Sequence, residues 1–154
     1  MRFFHVALML TAIMTGCKPQ GPKQSVPSSP DQISQSVDAS QLPADFMPFY
    51  DKFHSDSLFQ IAHISWPLQG ESSEPIDSVH NKKILKEWDQ SKWRMHHAVD
   101  YSSGDFKHSF EMMGDALVIE RIYYAAANYG LERRFVRNDQ GAWELIFYSD
   151  MQER

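Results

Sequence analysis

Apolar positions fall into three regimes along the 154-residue chain. Phe3 to Ile13 is apolar throughout except at His5 and Thr11. Apolar residues then thin out from Lys18 to Gln41, and from Leu42 onwards they return with helical and later with strand spacing. Leu42, Phe46, Phe49, Tyr50 and Phe53 stand at i, i+4, i+7, i+8 and i+11, which predicts a helix buried along one face. Pro43 suits a first turn, and Asp45 suits the positive end of the helix dipole. Asp56 or Ser57 is positioned to cap a second, short helix through Leu58, Phe59 and Ile61. Ile64, Trp66 and Leu68 alternate with His63, Ser65 and Pro67, which predicts a strand with an edge or a bulge at Pro67. Residues 70–82 read as a loop, and the spacing of Ile84, Leu85 and Trp88 predicts a third helix over Ile84–Trp93.

Period two then takes over. Phe106, His108, Phe110 and Met112 alternate with polar neighbours, Leu117–Ala125 is rich in β-formers, and Leu131–Arg137 follows. Trp143, Leu145 and Phe147 alternate with Glu144, Ile146 and Tyr148, with turn residues at Gly114-Asp115, Asn128–Gly130 and Asn138–Gly141 between these segments. Such a run predicts a four-strand antiparallel meander. Helices first and strands after give an α+β class, with N-terminal helices packed on one sheet face.

Composition narrows the chemistry. A single cysteine excludes an internal disulfide framework and a zinc site built on several thiolates. Lys+Arg 15 against Asp+Glu 20 gives a net charge of −5, which argues against nucleic acid as a partner.

Residues 1–16 have the parts of a secretory signal: Arg2, then the apolar run, then the small residues Thr15-Gly16. The run is shorter than the ~20 residues needed to span a bilayer. Cys17 follows directly, and the placement resembles the lipobox of bacterial lipoproteins. The resemblance implies a diacylglycerol on the Cys17 sulfur, cleavage before it and acylation of the freed amine, with palmitate among the expected chains. Met14 stands where that motif commonly has a branched aliphatic residue, and Lys18 stands where an aspartate would, in some bacteria, signal inner-membrane retention. The expected address is therefore the cell envelope, at the outer membrane, held by two or three acyl chains.

Residues 17–41 then read as the lipidated cysteine and a disordered tether. Lys18–Gln41 holds four prolines, six serines and five glutamines with no aromatic residue, too little apolar surface to offset the entropy of ordering. Without residues 1–16 the chain carries 14 positive and 20 negative side chains, a net of −6, so acyl chains rather than charge must hold it to an anionic surface. The remaining 42–154 read as one α+β domain.

In that domain Asp56-Ser57-Leu58-Phe59-Gln60 leads into His63-Ile64-Ser65-Trp66-Pro67-Leu68, and a Trp88/Trp93 segment and the closing meander follow. This order resembles an uncharacterised family of bacterial lipoproteins. Its members are similar in fold to nuclear-transport-factor-2-like (cystatin-like) domains, in which a curved sheet wraps helices into a cone. No activity comes with the resemblance, and the wider fold hosts isomerases, dehydratases and non-enzymatic modules alike.

Candidate chemistry is sparse. Seven histidines show no His-Glu-x-x-His, and adjacent His96 and His97 would point to opposite faces of a strand, so no metal site and no cofactor is expected. No serine-hydrolase signature and no Gly-rich phosphate loop is present, and no catalytic residue is assigned. On the strand at 117–124, Leu117, Ile119, Arg121 and Tyr123 share one face and Val118, Glu120, Ile122 and Tyr124 the other. Whichever face meets the core brings a charge, so Arg121 or Glu120 either lines a pocket or sits in a salt bridge. Trp66, Trp88 and Trp93, with Tyr101 and Tyr123, form either a core or an aromatic cavity for a sugar or lipid-like ligand. Asp100 and His63 are the other candidate acids or bases. Arg133 and Arg137 share a face with Phe135 between them and, with Arg134, form either a carboxylate or phosphate site or partners for Glu120, Glu132 or Glu144.

Three readings follow. The first is a lipid-anchored, non-enzymatic module that binds an unknown small ligand or an envelope protein. The second is a small pocket enzyme, an isomerase or hydrolase working through Glu120, Asp100 or a histidine. The third is a structural partner docking through its sheet face, as in a homodimer.

Overall fold

A computed structural model describes residues 35–75, 81–127 and 129–153. Residues 1–16, Cys17 and most of the expected tether lie outside the described residues.

Two helices, α1 (Phe46–Ser55) and α2 (Ser57–Ala62), precede most of the sheet. The strands are β1 (Gln35–Val37), β2 (Ile64–Pro75), β3 (Asn81–Trp88), β4 (Phe106–Met113), β5 (Leu117–Tyr124), β6 (Tyr129–Arg137) and β7 (Trp143–Glu153). They form one curved, open sheet in the order β1-β4-β5-β6-β7-β2-β3, with the helices packed against it. The expected α+β architecture is therefore present. All neighbouring pairs are antiparallel except β2 with β7, which run parallel. Among the described residues no helix is long and apolar enough to cross a membrane.

The first helix starts at Phe46 rather than Leu42. Pro48 explains the shift: with no N–H to donate it fits the first helical turn, where N–H groups have no intrahelical acceptor, and Phe46 as first residue places it there. Its periodic face is buried as expected, with Phe46, Phe49, Tyr50 and Phe53 all in the core. Phe46 meets Phe110, Phe135 and Trp143 edge-to-face at ring separations of 5.7, 5.6 and 5.1 Å. Such contacts add roughly 0.5–1.5 kcal/mol per pair beyond area burial. Asp56 caps α2, its Oδ1 accepting from the Leu58 and Phe59 amides, both at 3.0 Å.

Four expectations are corrected. The ordered domain begins earlier than Leu42, because Gln35–Val37 pairs with Phe110–Met112 of β4 and Val37 packs on the core. Residues 70–82 are not simply a loop: β2 runs on to Pro75. Ile84–Trp93 is not a helix, because Asn81–Trp88 pairs with Leu68–Pro75 along its whole length. Spacing of four between Ile84 and Trp88 satisfies either period, and cross-strand hydrogen bonding to β2 selects the strand. Finally, the alternation in β7 breaks, since Phe135 pairs with Leu145 but Arg134 with Phe147. The extra residue is a β-bulge that puts Tyr148, not Phe147, on the helix-facing side beyond Leu145.

Pro67 lies where the register of β2 against β7 shifts between Ile64 and Gln69, which is the bulge alternative of its expected role. Gly70 is required for close approach, because a Cβ there would come within 1.9 Å of the Tyr148 carbonyl oxygen and 2.7 Å of Trp88 Nε1. Its bare backbone lets the Trp88 indole lie across β2 and donate to that carbonyl at 3.2 Å.

Candidate functional site

The helix-facing side of the sheet carries a buried polar cluster at its centre. Alternation on β5 turns Val118, Glu120 and Ile122 inward, all essentially without solvent contact. Glu120 thus faces the core and Arg121 the outer surface, which resolves the choice that the strand pattern leaves open. Directly across β6, Arg133 pairs in register with Glu120, and its guanidinium Nε stands 3.3 Å from Glu120 Oε2. The other carboxylate oxygen, Oε1, accepts from the Tyr50 hydroxyl and from His108 Nε2 at 3.0 Å. Arg133 Nη1 donates to His54 Nε2, so the His54 proton sits on Nδ1 and is given to the Tyr50 carbonyl at 2.8 Å.

Electrostatics follow from that wiring. Burial alone would raise the Glu120 carboxyl, but the Arg133 guanidinium, then the His108 and Tyr50 hydrogen bonds, outweigh it and hold it at about 2. Burial, then the Glu120 charge, raises the Tyr50 phenol far above its ordinary value. Burial and then Arg133 lower His54 to about 4. The same two causes, with His54 added, lower His96 to about 3. Both rings are therefore neutral at neutral pH, while Glu120 is ionised.

A coil at 93–105 closes over this cluster. Gln60, fully buried in α2, holds one end of it with all four hydrogen bonds an amide can make. Its Nε2 donates to the Phe53 and His96 carbonyls at 2.7 and 2.8 Å. Its Oε1 accepts from Trp93 Nε1 at 3.0 Å and the His96 amide at 2.9 Å. Further along the coil, Tyr101 stacks on His108 at 4.8 Å with the ring planes only 3° apart. Burial, then Glu120, pushes the Tyr101 phenol up to about 12.

Of the expected aromatic site, Trp66, Trp88 and Trp93 do come together. Trp93 meets Trp66 at 5.6 Å and Trp88 at 6.4 Å, and His96 and Tyr148 complete the group at 4.4 and 5.6 Å from Trp93. All are half-buried. Tyr123 and Arg121 are not part of it, because they share the outer face of β5. There Arg121 bonds Glu132 at 2.8 Å and also Glu111, and Arg134 reaches Glu132 at 2.6 Å. The outer face is thus charged over Ile119 rather than flat and apolar. His63 is a structural residue at the turn into β2, stacked on Phe59 at 3.8 Å with Nδ1 on the Phe59 carbonyl at 2.8 Å. Asp100 is exposed and caps a turn at the Ser102 amide, 2.8 Å away. The side-chain and then the backbone bond from Ser102 lower its carboxyl. Arg137 pairs with Asp45 at 2.5 Å, a partner outside those expected of it.

His96 and His97 lie in the coil and not in a strand, His96 half-buried and His97 exposed. Among the described residues no group of three or more His, Cys, Asp or Glu is arranged to hold a metal ion. Tyr50, His54 and His108 are the cluster members that sequence reasoning passed over as chemistry. Tyr50 and His54 stand four apart on one face of α1, and that spacing was the available signal.

An open groove of about 700 Å³ lies beside the tryptophans, lined by Ile61, Trp66, Pro67, Asp89, Gln90 and Ser91. Trp66 is oriented there by its Nε1–H donating to the Ile61 carbonyl at 3.0 Å. A smaller one of about 280 Å³ on the hairpin includes Leu85, Lys86 and Phe147.

No protein-family model matches the chain, and no curated protein matches it. Solved structures do. A nuclear-transport-factor-2-like protein from Bacteroides fragilis is similar at 19% identity and a TM-score of 0.50, over 74% of this chain and 49% of that one. A cystatin-like protein from Bacteroides caccae is similar at 19% identity and a TM-score of 0.50, over 68% of this chain and 74% of that one. The chain thus spans about half the length of the first. Its two helices on a curved, open sheet are the nuclear-transport-factor-2-like, or cystatin-like, fold.

Proposed function

We propose that this chain is a lipid-anchored module of the cell envelope, held at the outer membrane by acylation of Cys17, that binds a ligand or a protein partner without chemistry. The fold is compatible with a ligand-binding module, and the lipobox-like residues 14–17 support the anchor.

The observation that carries the non-enzymatic reading is the state of Glu120. A general acid or base works best with a pKa near the operating pH and with a lone pair or proton directed at a substrate. Glu120 has neither property: Arg133 and two hydrogen bonds hold it at about 2, and it is wholly buried. Asp100 and His63, the other expected acid–base groups, are committed to turns. A pocket enzyme working through these three residues is therefore disfavoured.

The anchor is tested by growing bacteria that express the full chain with a clickable palmitate analogue. Label should appear on the protein and disappear in Cys17→Ser, which should also leave the membrane fraction. Undiminished labelling of Cys17→Ser would overturn the assignment.

A further inference from the structure

We infer that the groove beside Trp66 is a binding site for a neutral pyranose sugar, a reading that rests on the ligand-binding function proposed above and gives it a ligand class. Its lining is apolar at Ile61, Trp66 and Pro67 and polar at Asp89, Gln90 and Ser91. An indole with two aliphatic neighbours matches the C–H face of a pyranose ring, and an acid, an amide and a hydroxyl match its hydroxyl edge. A volume of about 700 Å³ accommodates one or two such rings.

The polar part of the lining is held by its own hydrogen bonds. Asp89 Oδ1 accepts from the Ser91 amide at 2.7 Å and the Ser91 hydroxyl at 2.5 Å. Those bonds leave Oδ2 as the free acceptor among the described residues, and the hydroxyl bond, then the amide bond, lower the carboxyl below its ordinary value. Gln90 is exposed, and its amide makes no hydrogen bond among the described residues.

Charge selects within the ligand class. Among the described residues no cation lines the groove, which disfavours an anionic sugar or a phosphate.

The test uses the full-length chain in detergent, with saturation-transfer NMR and tryptophan fluorescence. The probes are glucose, galactose, mannose, their β-linked disaccharides, glucuronate and choline. Binding of at least one neutral sugar is expected, with Trp66→Leu weakening it roughly tenfold or more and Gln90→Ala about threefold. Gln90 is exposed, so its variant keeps the test informative if Trp66→Leu does not fold. Absence of binding by every neutral sugar, tighter binding of choline or glucuronate, or sugar binding untouched by Gln90→Ala would each overturn the site. None of these outcomes bears on palmitate labelling at Cys17, so the sugar site and the anchored-module reading fail separately.

Discussion

Glu120 and Arg121 are consecutive on β5, and each pairs with an opposite charge on β6, yet one pair is buried against the helices and the other half exposed on the outer face. Two unit charges about 4 Å apart attract by ~1 kcal/mol in water and ~4 kcal/mol at an effective dielectric constant near 20. The inner pair also costs more to desolvate, so it persists only because Tyr50, His108 and His54 supply further bonds. The outer network of Glu111, Arg121, Glu132 and Arg134 is closer in its contacts but solvent-screened. Proximity of opposite charges is therefore a poor guide to which pair the fold depends on, and burial is the better one.

The largest effect should come from breaking the inner pair alone. Arg133→Met leaves a buried carboxylate unpaired and should cost about 3–5 kcal/mol in chemical denaturation. Adding Glu120→Leu should recover much of that loss, because the two positions couple directly.

Acid should reach the same cluster next. His54 is held at about 4 against an ordinary 6.5, and His96 at about 3. Below pH 6.5 the unfolded chain therefore binds more protons than the folded one, and stability rises with pH across that range. The contribution is fully present above 6.5 and is lost as pH falls towards 4, with Glu120 adding a second loss between its ordinary 4.5 and about 2. Melting temperature should accordingly drop steadily on acidification from pH 7, and His54→Gln should flatten the first part of that drop.

The smallest effect belongs to the outer face. Arg121→Met should change stability by no more than about 1 kcal/mol, read in the same denaturation assay. A loss as large as that of Arg133→Met would erase the contrast between the two faces.

Much of this arrangement is legible in the residues. Periodic aromatics from Phe46 to Phe53 and the Asp56 cap specify both helices, and clear alternation with turn residues specifies β4 to β6. The hairpin of β2 and β3 is not legible, because Gly70–Glu74 is polar and the spacing of Ile84 and Trp88 fits a helix as well as a strand. The bulge that brings Tyr148 beside Trp88 has no local signal either, since it is set by pairing with β6. For the site, the charge at 120 or 121 is foreseen but its direction is not, because each face of β5 offers two apolar residues beside one charge in 117–122. Packing of α1, which delivers Tyr50 to the carboxylate, decides it. The Trp66 groove is not legible for the same reason as the hairpin, since the spacing of Ile84 and Trp88 extends a predicted helix over Asp89-Gln90-Ser91.

The claim that the buried acid serves the fold rather than a reaction is tested most directly by following the Glu120 side-chain carboxyl by ¹³C NMR as pH is lowered. Its chemical shift should stay that of a carboxylate from neutral pH down to the onset of acid unfolding, as a group held at about 2 requires. A titration midpoint between about 5 and 7, the range of a working general acid or base, would contradict it.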